Sequence, residues 1–215
     1  MISNTTSLAV VFSVALLFSV GCATRGYEKA AKTSDAVSSS AHQVELAKRQ
    51  IVAATAALNE ISQKSPAERP AAFERYRTAV MDLERTVGAL KQETEAMERQ
   101  GRAYFDAWDA RLSEMRHEDI RARSAARQQE VTHQFTEIQQ RYQAARHELE
   151  PLTTSLRDLQ AALGIDLTPA GLANARDFMT RIEDNARAAQ LALDHLSDGL
   201  RTLNDQLNPA SAVTQ

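Results

Sequence analysis

From residue 37 to residue 207, apolar side chains return every third or fourth position, and that period limits what the chain can fold into. Val37, Val44, Ile51 and Leu58 stand one heptad apart, with Ala47, Ala54 and Ile61 between them. A second run alternates steps of three and four: Phe73, Tyr76, Val80, Leu83, Val87, Leu90, Thr94, Met97, Gly101, Tyr104 and Trp108, with Met115 a heptad further on. A third comprises Val131, Phe135, Ile138, Tyr142, Ala145, Leu149, Leu152, Leu156, Leu159 and Leu163. The fourth runs through Leu172, Ala175, Met179, Ile182, Ala186, Ala189, Leu193, Leu196, Leu200, Leu203 and Leu207. This spacing lays one apolar stripe along one face of a helix, whereas a strand alternates its faces every second residue. A stripe leaves water only by meeting another stripe, so helix must pack on helix.

The interruptions divide the chain into four helices, expected at about 35–63, 70–116, 119–163 and 169–206. Pro66 and Pro70 break the first junction, and Gly164 followed by Thr168-Pro169 breaks the third, with Thr168 as N-cap and Pro169 at the first helical position. Around His117-Glu118-Asp119-Ile120 the stripe lapses. A tight reversal with Asp119 as N-cap is the expectation there, and one continuous helix is the alternative. Pro151 falls inside the third stripe, where it removes the bond to the His147 carbonyl and predicts a kink.

Short connections make neighbouring helices antiparallel. The expected fold is therefore all-α: an elongated, antiparallel up-down-up-down four-helix bundle with coiled-coil-like heptads over 35–207, ending in a tail at 208–215. The longest helices should measure about 65–70 Å at the α-helical rise. Aromatic residues make up only 5% of the chain, so the core should be narrow and built from Leu, Ala and Val. Counting across the second turn sets Tyr104 opposite about residue 132 and predicts a cluster of Tyr104, Trp108 and Phe135. Residues 111–127 should form a bare two-helix tip.

Ahead of the stripes, residues 8–18 are an apolar run of signal-peptide length, too short to span a bilayer. Ser19-Val20-Gly21-Cys22 follows and resembles a lipobox, the motif cut before a lipid-modified cysteine. The expectation is a lipoprotein signal peptide at 1–21, a palmitate-type lipid anchor on Cys22 and a polar tether at 22–34. An ordinary secretory signal with an incidental cysteine is the alternative. Cys22 is the only cysteine, which excludes an internal disulfide or a multi-cysteine metal site. Ala23 follows it in place of the aspartate that retains such proteins at the inner membrane, so the resemblance implies the outer membrane, facing the periplasm.

Little reactive chemistry is written in the chain. The net charge is −3, and only residues 99–127 carry a basic excess, of 7 against 5. There is no basic stripe of the kind that binds nucleic acid. Glu114…His117 and Glu130…His133 have the Glu-x-x-His spacing of di-iron bundles. They flank the stripes, however, and sit about eight residues, or ~12 Å, out of level. They read as polar-face residues, as do His147, Glu148, Glu150, Asp194 and His195. No metal, cofactor or enzymatic activity is expected. One group has the logic of a site: Arg111, Arg116, Arg121, Arg123 and Arg127, near Arg25, Lys29 and Lys32, could contact an anionic membrane surface. Glu114, Glu118 and Asp119 among them reduce that attraction.

Tyr104-Phe105-Asp106-Ala107-Trp108, Arg141-Tyr142, Glu150-Pro151-Leu152 and Leu156-Arg157-Asp158 together resemble a family of uncharacterised Gram-negative lipoproteins, domain of unknown function 2959. The resemblance covers about 31–203 and departs from the family at residues 164–167. It transfers no catalytic residue. The functional expectation is a lipid-anchored, non-enzymatic structural or interaction scaffold of the envelope, with a protein partner or self-association. The alternative is a carrier of lipid or another hydrophobic ligand, whose alanine-rich stripes in the first and fourth helices make opening less costly.

Overall fold

Four helices carry the four stripes in a computed structural model, which describes residues 26–208. They are α1 (Gly26–Gln63), α2 (Arg69–Glu114), α3 (Glu118–Ile165) and α4 (Pro169–Leu207). Their boundaries follow local chemistry. Before α2, the Glu68 carboxylate accepts from the Ser65 hydroxyl at 2.6 Å and from its backbone N–H at 3.2 Å, and Pro70 occupies the first turn. At α4, the Thr168 hydroxyl accepts from the Gly171 N–H at 3.2 Å and Pro169 stands at the helix start, as the sequence predicts. Asp166 folds back onto this turn, where its carboxylate accepts from the Thr168 N–H at 2.9 Å.

Two expectations at helix starts are corrected. The reversal between α2 and α3 takes Met115 to His117, and the N-cap is His117, with no side-chain capping bond. Asp119 lies inside the first turn with Glu118, where both carboxylates face the positive end of the helix. The polar stretch at 22–34 is not a tether throughout, because α1 already begins at Gly26. The Thr33 and Ser34 side chains are small enough to be buried and find partners across the bundle. Thr33 donates to the Gln100 carbonyl at 3.3 Å, and Ser34 donates to the Asn204 side-chain oxygen at 2.7 Å.

Cross-helix contacts set the register. Lys29 meets Ala103 and Glu60 meets Arg75, between α1 and α2. Tyr76 meets Leu156 and Trp108 meets Ser124, between α2 and α3. Arg127 meets Gln206 and Arg141 meets His195, between α3 and α4. Ser34 meets Asn204 and Asn59 meets Glu183, between α4 and α1. In each pair one number rises as the other falls, so neighbouring helices run in opposite directions and the last closes a ring against the first. The closest association is α1 with α2, and the loosest is α2 with α3.

Inside the ring the stripes meet. Every member of the third is buried, as are all seven members of the first. The second shifts: Thr86 is buried where Val87 was expected and Val87 only half so, with the threonine hydroxyl donating to the Asp82 carbonyl at 2.8 Å. Such back-bonding lets a hydroxyl occupy a core position. Tyr76 is wholly buried, its hydroxyl donating to the Leu156 carbonyl at 2.7 Å, and burial pushes the phenol far above its ordinary 10.0. Pro151 lies on the exposed side of α3, which continues through it, so the His147 carbonyl it leaves unbonded is on the solvent side.

The aromatic cluster also differs in detail. Phe135 faces Gly101 and packs edge-on against Phe105, with ring centroids 5.6 Å apart. Phe105 in turn lies 5.5 Å from Tyr104, and Tyr104 lies 5.3 Å from Trp108. The expected residues are joined through Phe105, which lies one position off the stripe.

Candidate functional site

One end of the bundle gathers the start of α1, the end of α4 and the α2–α3 turn. Lys29 donates to the Ala103 carbonyl, so Gly26 stands level with about residue 106 of α2. Arg127 donates to the side-chain oxygen of Gln206 at 3.3 Å, so α4 ends near the same place. Among the described residues, α2 and α3 continue alone beyond this level. Trp108 closes the base of the projection by donating to the Ser124 hydroxyl at 2.9 Å, beside a 2.8 Å bond from Gln128 to Asp109. From residue 109 to residue 123 nearly every side chain is exposed, Leu112 and Met115 being half-buried.

The five arginines predicted to serve as a site do not behave alike there. Arg127 is held by Glu130 at 2.9 Å and by Gln206, so it belongs to the bundle wall. Arg111 is exposed but paired with Glu114 at 2.6 Å. Arg116, Arg121 and Arg123 are exposed and form no ion pair among the described residues. With them stands Ile120, 58% exposed, and at the start of α1 Tyr27, 62% exposed. Neither belongs to a predicted site. An apolar residue falling off the stripe, where the pattern lapses, is the signal that would have found Ile120. Cys22, Arg25 and the proposed signal peptide lie outside the described residues.

The residues with metal-like spacing remain apart. Glu114, His117, Glu130 and His133 are all exposed, and both glutamates are taken by arginines of their own helices. Among the described residues no three His, Cys, Asp or Glu side chains converge as metal ligands do.

A second cluster lies midway along the α1–α4 seam. Glu45 accepts from the Ser197 hydroxyl at 2.7 Å, from Lys48 at 3.2 Å and from Arg201 at 3.3 Å. Lys48 also meets Asp194 at 2.7 Å. The Ser197 hydroxyl, with Lys48 and Arg201, holds the Glu45 carboxyl below its ordinary 4.5, and Asp194 with Glu45 holds the Lys48 ammonium above its ordinary 10.5. A carboxylate stabilised in this way is a weaker proton acceptor than a free one. The cluster is a clamp between the first and last helices. Asp194, read from sequence as an ordinary polar-face residue, takes part in it.

Among the described residues no side-chain arrangement by itself names a reaction. The family described as protein of unknown function (DUF2959) matches residues 21–208. The chain belongs to the DUF2959 family. No curated protein and no solved structure matches it. In this DUF2959 protein the matched span takes in all four helices and begins one residue before Cys22. Among its described residues no helix is long and apolar enough to cross a membrane.

Proposed function

We propose that this DUF2959 protein is a lipid-anchored component of the cell envelope that works as a non-enzymatic spacer or scaffold. Cys22 carries the lipid, and the rod stands in the periplasm from the outer membrane. One observation supports this above the others. α1 begins and α4 ends at the end of the bundle from which the α2–α3 turn projects, and a lipid on Cys22, four residue steps before Gly26, would belong to that pole of a long body. The longest helix, 48 residues, corresponds to about 72 Å. The apolar run ahead of Cys22 also stands outside the family match, as a cleaved leader would.

The test is in-cell crosslinking of the native protein followed by mass spectrometry of what co-purifies. A reproducible protein partner, lost when an exposed helix face is substituted, is the expected result. Enriched lipid with no protein partner would replace the scaffold with a carrier. Mass analysis of the N-terminal peptide in the same preparation checks the lipid on Cys22.

A further inference from the structure

We infer that the α2–α3 tip is a second membrane contact, a docking surface for anionic lipid headgroups that holds the rod upright on its anchor. The inference rests on the lipidation of Cys22 proposed above and adds the surface that meets the bilayer.

Two distances carry it. The tip extends eight or more residues past the level of Gly26, a projection of about 12 Å at the α-helical rise. The chain from Cys22 to Gly26 has four residue steps and can span at most ~14 Å when fully extended. With Cys22 at the bilayer surface, Gly26 is therefore held within ~14 Å of the membrane, a distance that the ~12 Å projection and an extended arginine side chain at its end span together. A longer tether would free the rod to tumble, but one of this length brings the tip to the headgroups.

The chemistry at the tip suits that position. Among the described residues, Arg116, Arg121 and Arg123 hold no carboxylate partner, and their guanidinium groups suit phosphate. Residues 111–127 carry five arginines against Glu114, Glu118 and Asp119. Glu114 is already neutralised by Arg111. Ile120 projects among the unpaired arginines, and Tyr27 is exposed at the same pole. Basic side chains around an exposed aliphatic group, with a tyrosine beside them, match the headgroup region of a bilayer, where charge is attracted and amphipathic rings settle. The opposite pole differs: its basic side chains are held, Lys64 by Glu60 at 3.5 Å and Arg69 by the Leu167 carbonyl at 3.3 Å.

The full chain, purified from membranes and reconstituted into phosphatidylcholine vesicles with or without phosphatidylglycerol, tests this. A fluorophore is placed at Ile120→Cys or, as the opposite pole, at Ile165→Cys, since lipidation blocks the sulfur of Cys22. Lipid-borne nitroxide should quench the probe at 120 in vesicles containing phosphatidylglycerol and leave the probe at 165 bright. The triple variant R116Q/R121Q/R123Q should lower quenching at 120 to the level seen at 165 while the protein stays attached. In the unanchored Cys22→Ser chain, partitioning to the same vesicles should fall about fivefold for each arginine removed. Equal quenching at the two poles, or none at 120 in a protein shown to be lipidated, overturns the inference alone. An unmodified Cys22 in the native protein overturns the anchor and the inference together.

Discussion

The ring of Phe135 lies over Gly101 with no room for a side chain: a β-carbon at 101 would sit 2.7 Å from Cε2 and 2.8 Å from Cε1 of that ring. Gly101 is thus an apolar-stripe position whose content is a neighbour's ring. In a helix interior Gly→Ala normally gains about 1 kcal/mol. Here overpacking, at about 1–3 kcal/mol, opposes that gain, so Gly101→Ala should be neutral to destabilising. In a Phe135→Leu background the same substitution should stabilise. A double-mutant cycle by urea denaturation measures the sign change, and additive effects would show that the ring moves aside freely.

Ser40 is 1% exposed on α1, and its hydroxyl has no hydrogen-bond partner among the described residues. Thr33, Ser34, Thr86, Thr94 and Ser197, also buried, each have one. Ser40→Ala removes an unsatisfied group and adds helix propensity, so stability should rise by about 1 kcal/mol. A higher urea midpoint at unchanged slope is the expected readout, and a lower one would count against the burial argument.

The clamp at Glu45 predicts the acid limb of stability. Its folded-state pKa is depressed, first by the Ser197 hydroxyl and then by Lys48 and Arg201. Its contribution is therefore complete above the ordinary 4.5 and lost as pH falls through the lowered value. Lys48, whose pKa is raised by Asp194 and Glu45, contributes below its ordinary 10.5 and loses that contribution as pH rises through the higher value. Glu45→Gln should cost about 0.5–1 kcal/mol at neutral pH, since the pair is part-exposed, and should flatten the acid decline that begins below the ordinary 4.5. Parallel curves for the two proteins would remove Glu45 as the cause.

Trp108 is the only tryptophan and sits at the base of the two-helix tip. Above it the tip has no α1 or α4 to bury its faces. Local stability follows buried contact, so the tip should open before the four-helix body. Trp108 fluorescence should then change at a lower denaturant concentration than far-ultraviolet circular dichroism. Coincident transitions would mean that tip and body unfold as one unit.

Much of the fold was legible because burial in a bundle repeats with the helix itself. Every third-stripe residue from Val131 to Leu163 is buried where the period places it. The misses share one physical cause: a period reports a face and says little about what sits opposite. Thr86 took the core position expected for Val87 by bonding its hydroxyl to its own helix, which a hydropathy pattern scores as polar. Thr33 and Ser34 look like tether in a local pattern because their partners, Gln100 and Asn204, lie far along the chain. Phe105 joins the aromatic cluster from just off the stripe, reaching Phe135 across the α2–α3 gap. The Arg tip was visible as composition. Division of its arginines into Arg127, bound to the wall, and Arg116, Arg121 and Arg123, left without carboxylates, required the level at which α4 ends.

The seam between α1 and α4 has a consequence for how this protein is made. Ser34 waits for Asn204 and Glu45 waits for Ser197, partners separated by 170 and 152 residues. α1 therefore finds a substantial share of its partners on the last helix, though fewer than on α2. Pairs of neighbouring helices can zip locally and fast, but ring closure needs the whole chain, and until then the apolar edge of α1 is open to other molecules. A nascent chain stopped before Pro169 is for that reason the form most prone to aggregate, and a chaperone that held the first sixty residues until synthesis ended would be guarding the right surface.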